Sequence, residues 1–410
     1  MSTTRSHPRL RMEAAPLDAR VTPLELFFDL VFVFALTQVT ALMAVDLTGR
    51  GVLRGVLILG LLWWSWVAYA WLCNVVRVDE GAVRLALLIA MIAMFVLALA
   101  IPEAFDDLPG GLPGPVVVAL CYFLFRGMHL VLFWIISSED PGLRSQLIRF
   151  APSMIGGTAL LLAASQYTGT TQTGLWAAAL LADYGGTYLG GASGWRLRSP
   201  GHFAERHGLI LIVALGESIV ALGVGAAALP ISWPIVAGSG AGLVLSAALW
   251  WAYFDITALQ GEHALATEPE ATRPRLARDA YSFLHFPMLV GVVVLALGLK
   301  KVLEYVGDSE HHQLSDPLTG IGLYALYGGV VIYLLGHLAF KWRIAHYLTV
   351  DRLVAAGVLV VLIPIAGMMP ALVALLVVAG VMVAVISFET IHFAEHRDQI
   401  RHHISTAEQR

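Results

Sequence analysis

Charge is the first thing this chain lacks. Asp, Glu, Lys and Arg make up only 13% of its 410 residues, about half the ~25% usual in soluble domains. Apolar residues reach 58% and the mean hydropathy is +0.76. A chain so poor in charge cannot cover a water-soluble globule of this size with polar surface, and its apolar content excludes a disordered one. An excess of basic charge is missing too: 25 Lys and Arg stand against 29 Asp and Glu, so no nucleic-acid partner is expected. The only cysteines are Cys73 and Cys121, which rules out a disulfide framework or a cysteine-rich metal site. There is no Walker loop, no dinucleotide-binding glycine fingerprint and no G-x-S-x-G elbow. No cofactor is therefore expected, nor ATP-driven transport by this chain alone.

What the chain has instead is long apolar runs. Each spanning helix needs roughly 20 mostly apolar residues, and twelve such runs lie near 24–45, 52–73, 82–101, 115–137, 147–166, 174–191, 207–228, 233–255, 280–299, 318–340, 351–368 and 370–390. They are continuous and rich in Leu and Ala, unlike the alternating segments of a barrel. The expected fold is all-α, a polytopic transmembrane helix bundle whose principal partner is the lipid bilayer. Gly367-Met-Met-Pro370 leaves open whether 351–390 is two helices or one broken segment. Residues 256–279 read as the largest polar connection plus a helix start, Glu268-Pro-Glu-Ala-Thr-Arg-Pro274.

The basic residues support this count. With the N-terminus inside, 20 of the 25 Lys and Arg fall in inside segments, among them Arg206, Lys341 and Arg352. Four fall outside, and Arg126 lies within a helix. That bias is the positive-inside signature and predicts both termini cytoplasmic, in a multi-pass protein of the cytoplasmic membrane. The expected organisation is a mobile tail over 1–19, a six-helix half over 20–200, a second over 201–396 and a tail over 397–410. The halves share patterns: Ala35-Leu-Thr-Gln-Val-Thr with Ala214-Leu-Gly-Glu-Ser-Ile, and Leu62-Trp-Trp-Ser-Trp with Leu249-Trp-Trp-Ala-Tyr. A parallel six-plus-six repeat follows, and transporters often place substrate sites where such repeats meet.

Ionisable groups deep in a membrane are costly and normally face a partner. Glu217, Asp183 and Arg126 each lie near the middle of an apolar run, and Gln38 adds polarity to the first. If all three are ionised their sum is −1, so a proton or a cation must balance them; the alternative is a permanent Arg–carboxylate clamp. Thr22-Pro-Leu-Glu25 fits a helix capping box, with Asp29 one turn further on the same face. Glu25 and Asp29 are thus candidates for a cytoplasmic mouth. Glu205 and Arg206 read as cap and interfacial anchor, or as a gate, and Asp255 as a helix end able to pair with an interfacial arginine. His285 reads as a core histidine bonded to a carbonyl, or as a proton relay. Glu389, His392, Glu395 and His396 have spacings able to gather a metal, although an interfacial helix end explains them as well. Gly186, Gly190 and Gly194, spaced by four, predict close helix approach.

Several of these segments carry a resemblance. Arg20-Val-Thr-Pro-Leu-Glu-Leu-Phe-Phe-Asp-Leu-Val-Phe-Val-Phe34, His202-Phe-Ala-Glu-Arg-His-Gly-Leu209, Leu215-Gly-Glu-Ser-Ile219 and the Trp-Trp-Ala-Tyr-Phe-Asp255 run resemble the bacterial low temperature requirement A family. The likeness implies a polytopic membrane fold and marks Glu25, Asp29, Glu205, Arg206, Glu217 and Asp255. More faintly, Phe28-Asp29 is similar to the Phe-Ser-Asp motif of lysosomal-type potassium channels, with Phe where they have Ser. Three function classes follow. The first is a secondary transporter or cation-permeable conduit for a small ion or metabolite. The second is a membrane-embedded metal-dependent or lipid-handling enzyme using His285, His337 or the Glu389/His392/His396 group. The third is a structural or sensory membrane protein. The residues alone assign no oligomeric state.

Overall fold

The computed structural model describes residues 15–16, 18–78, 81–227 and 229–392. The two expected tails therefore lie almost wholly outside the described residues, as do Glu395 and His396. Among the described residues the structure is helical, with an isolated bridge between Pro317 and Pro370. In order the helices are α1 Pro23–Val45, α2 Gly49–Val75, α3 Gly81–Leu99, α4 Gly114–Ile136, α5 Pro141–Ala164, α6 Gly169–Leu189, α7 Pro200–Ala226 and α8 Trp233–Phe254. There follow α9 Thr257–Thr267, α10 Arg273–Leu276, α11 His285–Gly307, α12 Gly320–Ala345, α13 Val350–Ala366 and α14 Ala371–His392.

Every expected apolar run carries a helix. Ten helical segments among the described residues are long and apolar enough to cross a membrane. The helices on the sixth and eleventh runs fall short in different ways. Helix α6 opens Gly-Thr-Thr-Gln-Thr-Gly and is too polar, whereas α13 has only 17 residues. Large apolar side chains remain exposed on several of these segments, Ile92 at 65% and Val131 at 59% among them. Glu25, Asp29, Arg126, Asp183, Arg206 and Glu217 are all buried. Polar groups inside and apolar groups outside is the arrangement a bilayer demands. The protein is an all-α, multi-pass membrane protein.

Two expectations about connections are decided here. Segment 351–390 is two helices: α13 ends at Ala366, and the Ala371 N–H bonds the Asp316 carbonyl at 3.0 Å as α14 begins. Segment 256–279 carries more helix than expected: a helix does start at Arg273, within the predicted Glu268–Pro274 stretch, and the part before it is helical too. Thr257–Thr267 is helical, and a π-helical turn, Ala277–Phe283, runs into α11. Helix formers dominate Thr257–Thr267. Its Gly261 faces the Tyr281 hydroxyl, which would lie 2.6 Å from an added Cβ.

The chain divides into two compact units, one of residues 1–31 and 64–206, the other of residues 32–63 and 207–410. In the first unit, α5 and α6 approach closely. A Cβ on Gly186 would fall 2.2 Å from the Ser153 Cβ, and one on Gly194 would fall 2.6 Å from the Gly142 carbonyl oxygen. Gly186 meets the expectation of close helix approach, whereas Gly190 caps the end of α6 and Gly194 makes its close contact from the turn beyond the helix. In the second unit α11 and α12 meet backbone to backbone: a Cβ on Gly291 would sit 2.5 Å from the Tyr333 nitrogen, and one on Gly329 2.5 Å from the Leu295 nitrogen.

Candidate functional site

Within the first unit α4 contributes Arg126 and α6 contributes Asp183, each only 1% exposed. Arg126 Nη2 donates to both carboxylate oxygens at 3.2 Å. The Tyr122 hydroxyl, one turn earlier on α4, also donates to Asp183. Arg126 Nη1 reaches the Trp64 carbonyl at 3.2 Å, and the guanidinium lies over the Phe150 ring, 5.0 Å from its centroid. Gly157 on α5 helps to create the space, because a Cβ there would lie 3.1 Å from the Ala179 carbonyl oxygen and 3.6 Å from the Asp183 Cβ. One cation meets one anion, so this centre is neutral.

The segment expected at a cytoplasmic mouth forms a second buried centre in the same unit. Thr22 and Glu25 make the predicted capping box: the Glu25 N–H donates to the Thr22 hydroxyl at 3.3 Å, and the Thr22 N–H donates to Glu25 Oε2 at 2.9 Å. Glu25 Oε1 also accepts from His202 Nε2 at 2.9 Å. Asp29 Oδ1 accepts from Trp66 Nε1 at 2.8 Å and from Arg206 Nη2 at 2.9 Å. The Arg206 guanidinium is 5.3 Å from the Trp66 ring centroid, a cation–π distance. Arg206 is fully buried, which corrects its reading as an interfacial anchor. Two carboxylates and an indole face draw it in. Asp29 is likewise closed off rather than lining an open vestibule. Glu205, the neighbour of Arg206, is exposed and accepts from the Val21 N–H at 3.3 Å.

In the second unit Glu217 of α7 is 1% exposed and accepts from the Thr37 hydroxyl of α1 at 2.6 Å. Among the described residues no Lys, Arg or His lies within 4.0 Å of it. Lys300 is the cation that acts on it, from beyond that range. Gln38, beside Thr37, is half-buried. The next residue after Glu217, Ser218, shares a hydrogen bond of 2.8 Å with Ser246 of α8. Asp255 caps the end of α8, half-buried, its N–H bonded to the Trp251 carbonyl at 3.2 Å. The three mid-run candidates thus occupy two centres: Arg126 with Asp183 in one unit, Glu217 with Thr37 in the other.

The residues of the enzyme alternative have other partners. His285 Nδ1 faces the Ala280 carbonyl at 3.2 Å and its Nε2 shares a hydrogen bond with the Tyr253 hydroxyl at 2.8 Å, so it is the carbonyl-bonded core histidine. Glu389 is held by two of the three Arg352 side-chain nitrogens, Nε at 2.7 Å and Nη2 at 2.8 Å. That bidentate pair is strong and directional, which corrects Glu389 as a free metal ligand. His392 stacks on Phe388, and His396 lies outside the described residues. Among the described residues no cluster of three His, Cys, Asp or Glu has metal-binding geometry. His337 bonds Thr257 Oγ1 at 3.1 Å and abuts Arg352.

Sequence reasoning missed Arg352 as a buried pair, Tyr122, Asn74 and His202. Arg352 was masked by its use as an inside charge. A signal existed for Arg206 and Arg352 alike: each falls within one turn of an apolar run, where an unpaired arginine would be expensive.

The model of the family described as "Bacterial low temperature requirement A protein" matches residues 20–387 of this chain. An uncharacterized protein of Rhizobium meliloti (strain 1021) is 27% identical over 338 residues, covering 77% of this chain and 76% of that protein. No solved structure matches significantly.

Proposed function

This chain belongs to the bacterial low temperature requirement A family, and from that premise we propose that it carries a small cation or proton across the cytoplasmic membrane, alone or coupled to a metabolite. Glu217 is the group that takes the charge on and off. The observation supporting this reading is that no Lys, Arg or His lies within 4.0 Å of it among the described residues, Lys300 acting only from further away. Asp183 and Arg126 cancel, so the charge left over in the three mid-run groups is carried by a buried carboxyl whose hydrogen-bond donor is a threonine. A carboxylate buried without a cation costs several kcal/mol, and a proton or a bound cation removes that cost. An exchangeable partner is what coupling requires, and a locked Arg–Asp pair lacks one.

In this reading all twelve long helices span the membrane and both termini face the cytoplasm. Helix α6 is 21 residues long, about 31 Å at ~1.5 Å per residue, and its charge is cancelled by Arg126 rather than presented to lipid. The 17 residues of α13 reach the lower end of the roughly 17–25 that suffice.

The experiment is flux. Purified protein in proteoliposomes is driven by a pH or alkali-ion gradient, and Glu217→Gln is compared with the parent. Loss of gradient-driven flux, with an unaltered elution profile and thermal midpoint, supports the assignment. Unchanged flux in the variant removes Glu217 from the mechanism.

A further inference from the structure

Asn74 of α2 is held by backbone on both ends of its amide. Its Oδ1 accepts from the Arg198 N–H at 2.8 Å and the Ser199 N–H at 3.3 Å, and its Nδ2 donates to the Ser199 carbonyl at 2.6 Å. The amide cannot flip without breaking all three. Its remaining Nδ2 hydrogen therefore faces His202 Nδ1, 3.3 Å away, and that ring nitrogen must be the acceptor. The ring proton is then on Nε2, where it donates to Glu25 Oε1 at 2.9 Å. A second proton on His202 would set N–H against N–H. His202 is fixed as a neutral donor.

That tautomer changes the charge of the cluster. Glu25 and Asp29 contribute two negative charges and Arg206 one positive, so one negative charge is uncompensated among residues at most 3% exposed. Cys73, which also faces Glu25, adds no positive charge in either form. Glu25 uses both oxygens: Oε1 faces His202 and, at 3.8 Å, Arg206 Nη1, while Oε2 accepts from the Thr22 N–H and hydroxyl at 2.9 and 3.1 Å. Asp29 Oδ1 holds Trp66 and Arg206, but Asp29 Oδ2 is buried with no hydrogen-bond partner among the described residues. Arg206 Nε and Nη1 are also without hydrogen bonds there, so the guanidinium is only partly spent on the carboxylates. A bare acceptor and a missing positive charge coincide at one atom.

We propose that Asp29, with Glu25 and Arg206, forms a buried site for one exchangeable monovalent positive charge, a proton or an alkali ion, held at Asp29 Oδ2. This site lies wholly within the first unit and does not rest on the role assigned to Glu217.

Full-length protein carrying Glu217→Gln, which removes the other isolated carboxyl, is purified in nanodiscs. Its thermal midpoint is followed against pH in choline, Na+ and K+ at constant ionic strength, and bound charge is counted by proton uptake and by equilibrium dialysis of 22Na+. The expected result is one charge per chain, with a midpoint that rises as it binds. A rise on acidification alone identifies the proton; a rise with Na+ or K+ that weakens on acidification identifies the alkali ion. Asp29→Asn and, separately, Glu25→Gln should each abolish the response, while His202→Gln, a neutral donor, should keep one charge. The proposal is overturned if the parent binds no charge, if the response survives Asp29→Asn, or if it disappears in His202→Gln. Should either carboxyl variant not fold, the stoichiometry of the parent and of the other variant decides.

Discussion

Removing one member of the Arg126–Asp183 pair should be far worse than removing both. Breaking a buried ion pair from one side costs about 3–5 kcal/mol, whereas replacing both partners with apolar groups of similar volume is often neutral. The geometry sorts the two single changes within that range. Both Arg126–Asp183 bonds are 3.2 Å long, beyond the ~2.7–2.9 Å of strong charge-assisted bonds. After Arg126→Met, Asp183 keeps the Tyr122 donor, so the loss should be about 3 kcal/mol. After Asp183→Leu the guanidinium keeps one hydrogen-bond acceptor, the Trp64 carbonyl, and the Phe150 ring face, with no anion, and its Nε already has no hydrogen-bond partner among the described residues; that loss should approach about 5 kcal/mol. The double variant Arg126→Met/Asp183→Leu should recover much of both. With single losses of about 3 and 5 kcal/mol and a double variant that loses about 2 kcal/mol or less, the coupling free energy is about 6 kcal/mol or more, well above the ~0.6 kcal/mol average for hydrogen-bonded pairs between membrane helices. Equilibrium unfolding in detergent–denaturant mixtures measures all four corners of the cycle. Additive single losses, with coupling at or below that average, would refute the pairing.

Three further outcomes follow from local geometry. Gly291→Ala should destabilise by about 1–3 kcal/mol through overpacking, because the new methyl would meet Tyr333 and Gly329 backbone that cannot move aside; a thermal midpoint equal to the parent would contradict the close contact of α11 and α12. Thr37→Val should lower stability by about 1.5–3 kcal/mol if Glu217 is charged, and by about 0.5–1.5 kcal/mol if it is neutral, so unfolding measured with and without a saturating cation reads its state. At the N-cap of α5, partial burial pushes the Asp140 carboxyl up, but the Leu143 N–H and the Arg196 guanidinium outweigh it and hold it below the usual carboxylate range. Its small contribution is therefore present above the unfolded carboxylate value and lost as the pH falls through the lowered folded one. Asp140→Ala should cost about 1 kcal/mol at neutral pH and little in strong acid; a cost independent of pH would exclude the carboxylate as its source.

What could be read from the residues alone is whatever depends on near neighbours. The apolar runs mark the helices because backbone in lipid must bond within its own segment, and Thr22-Pro23-Leu24-Glu25 forms its cap because both partners lie within one turn. Gly186 and Gly194 announce a close approach by having no side chain. His285 finds a carbonyl five residues away. The pairings that define the polar centres are different in kind. Arg206 reaches Asp29 across 177 positions and Arg126 reaches Asp183 across 57. Neither distance leaves a trace in periodicity or spacing. Thr257–Thr267 was hidden for another reason: its charged and polar residues look like a loop until Tyr281 and Phe340 bury Gly261. Arg352 resembled a topological charge because an arginine at a membrane interface and one salt-bridged just below it occupy the same stretch of sequence.

The central claim is that the isolated carboxyl moves charge and the paired one does not. Side-by-side flux in proteoliposomes tests it most directly, using Glu217→Gln, Arg126→Met/Asp183→Leu and the parent under the same ion gradient. The account predicts that ion-driven flux vanishes in the first and persists in the second. Flux that survives the loss of Glu217 and disappears with the neutral pair would contradict it.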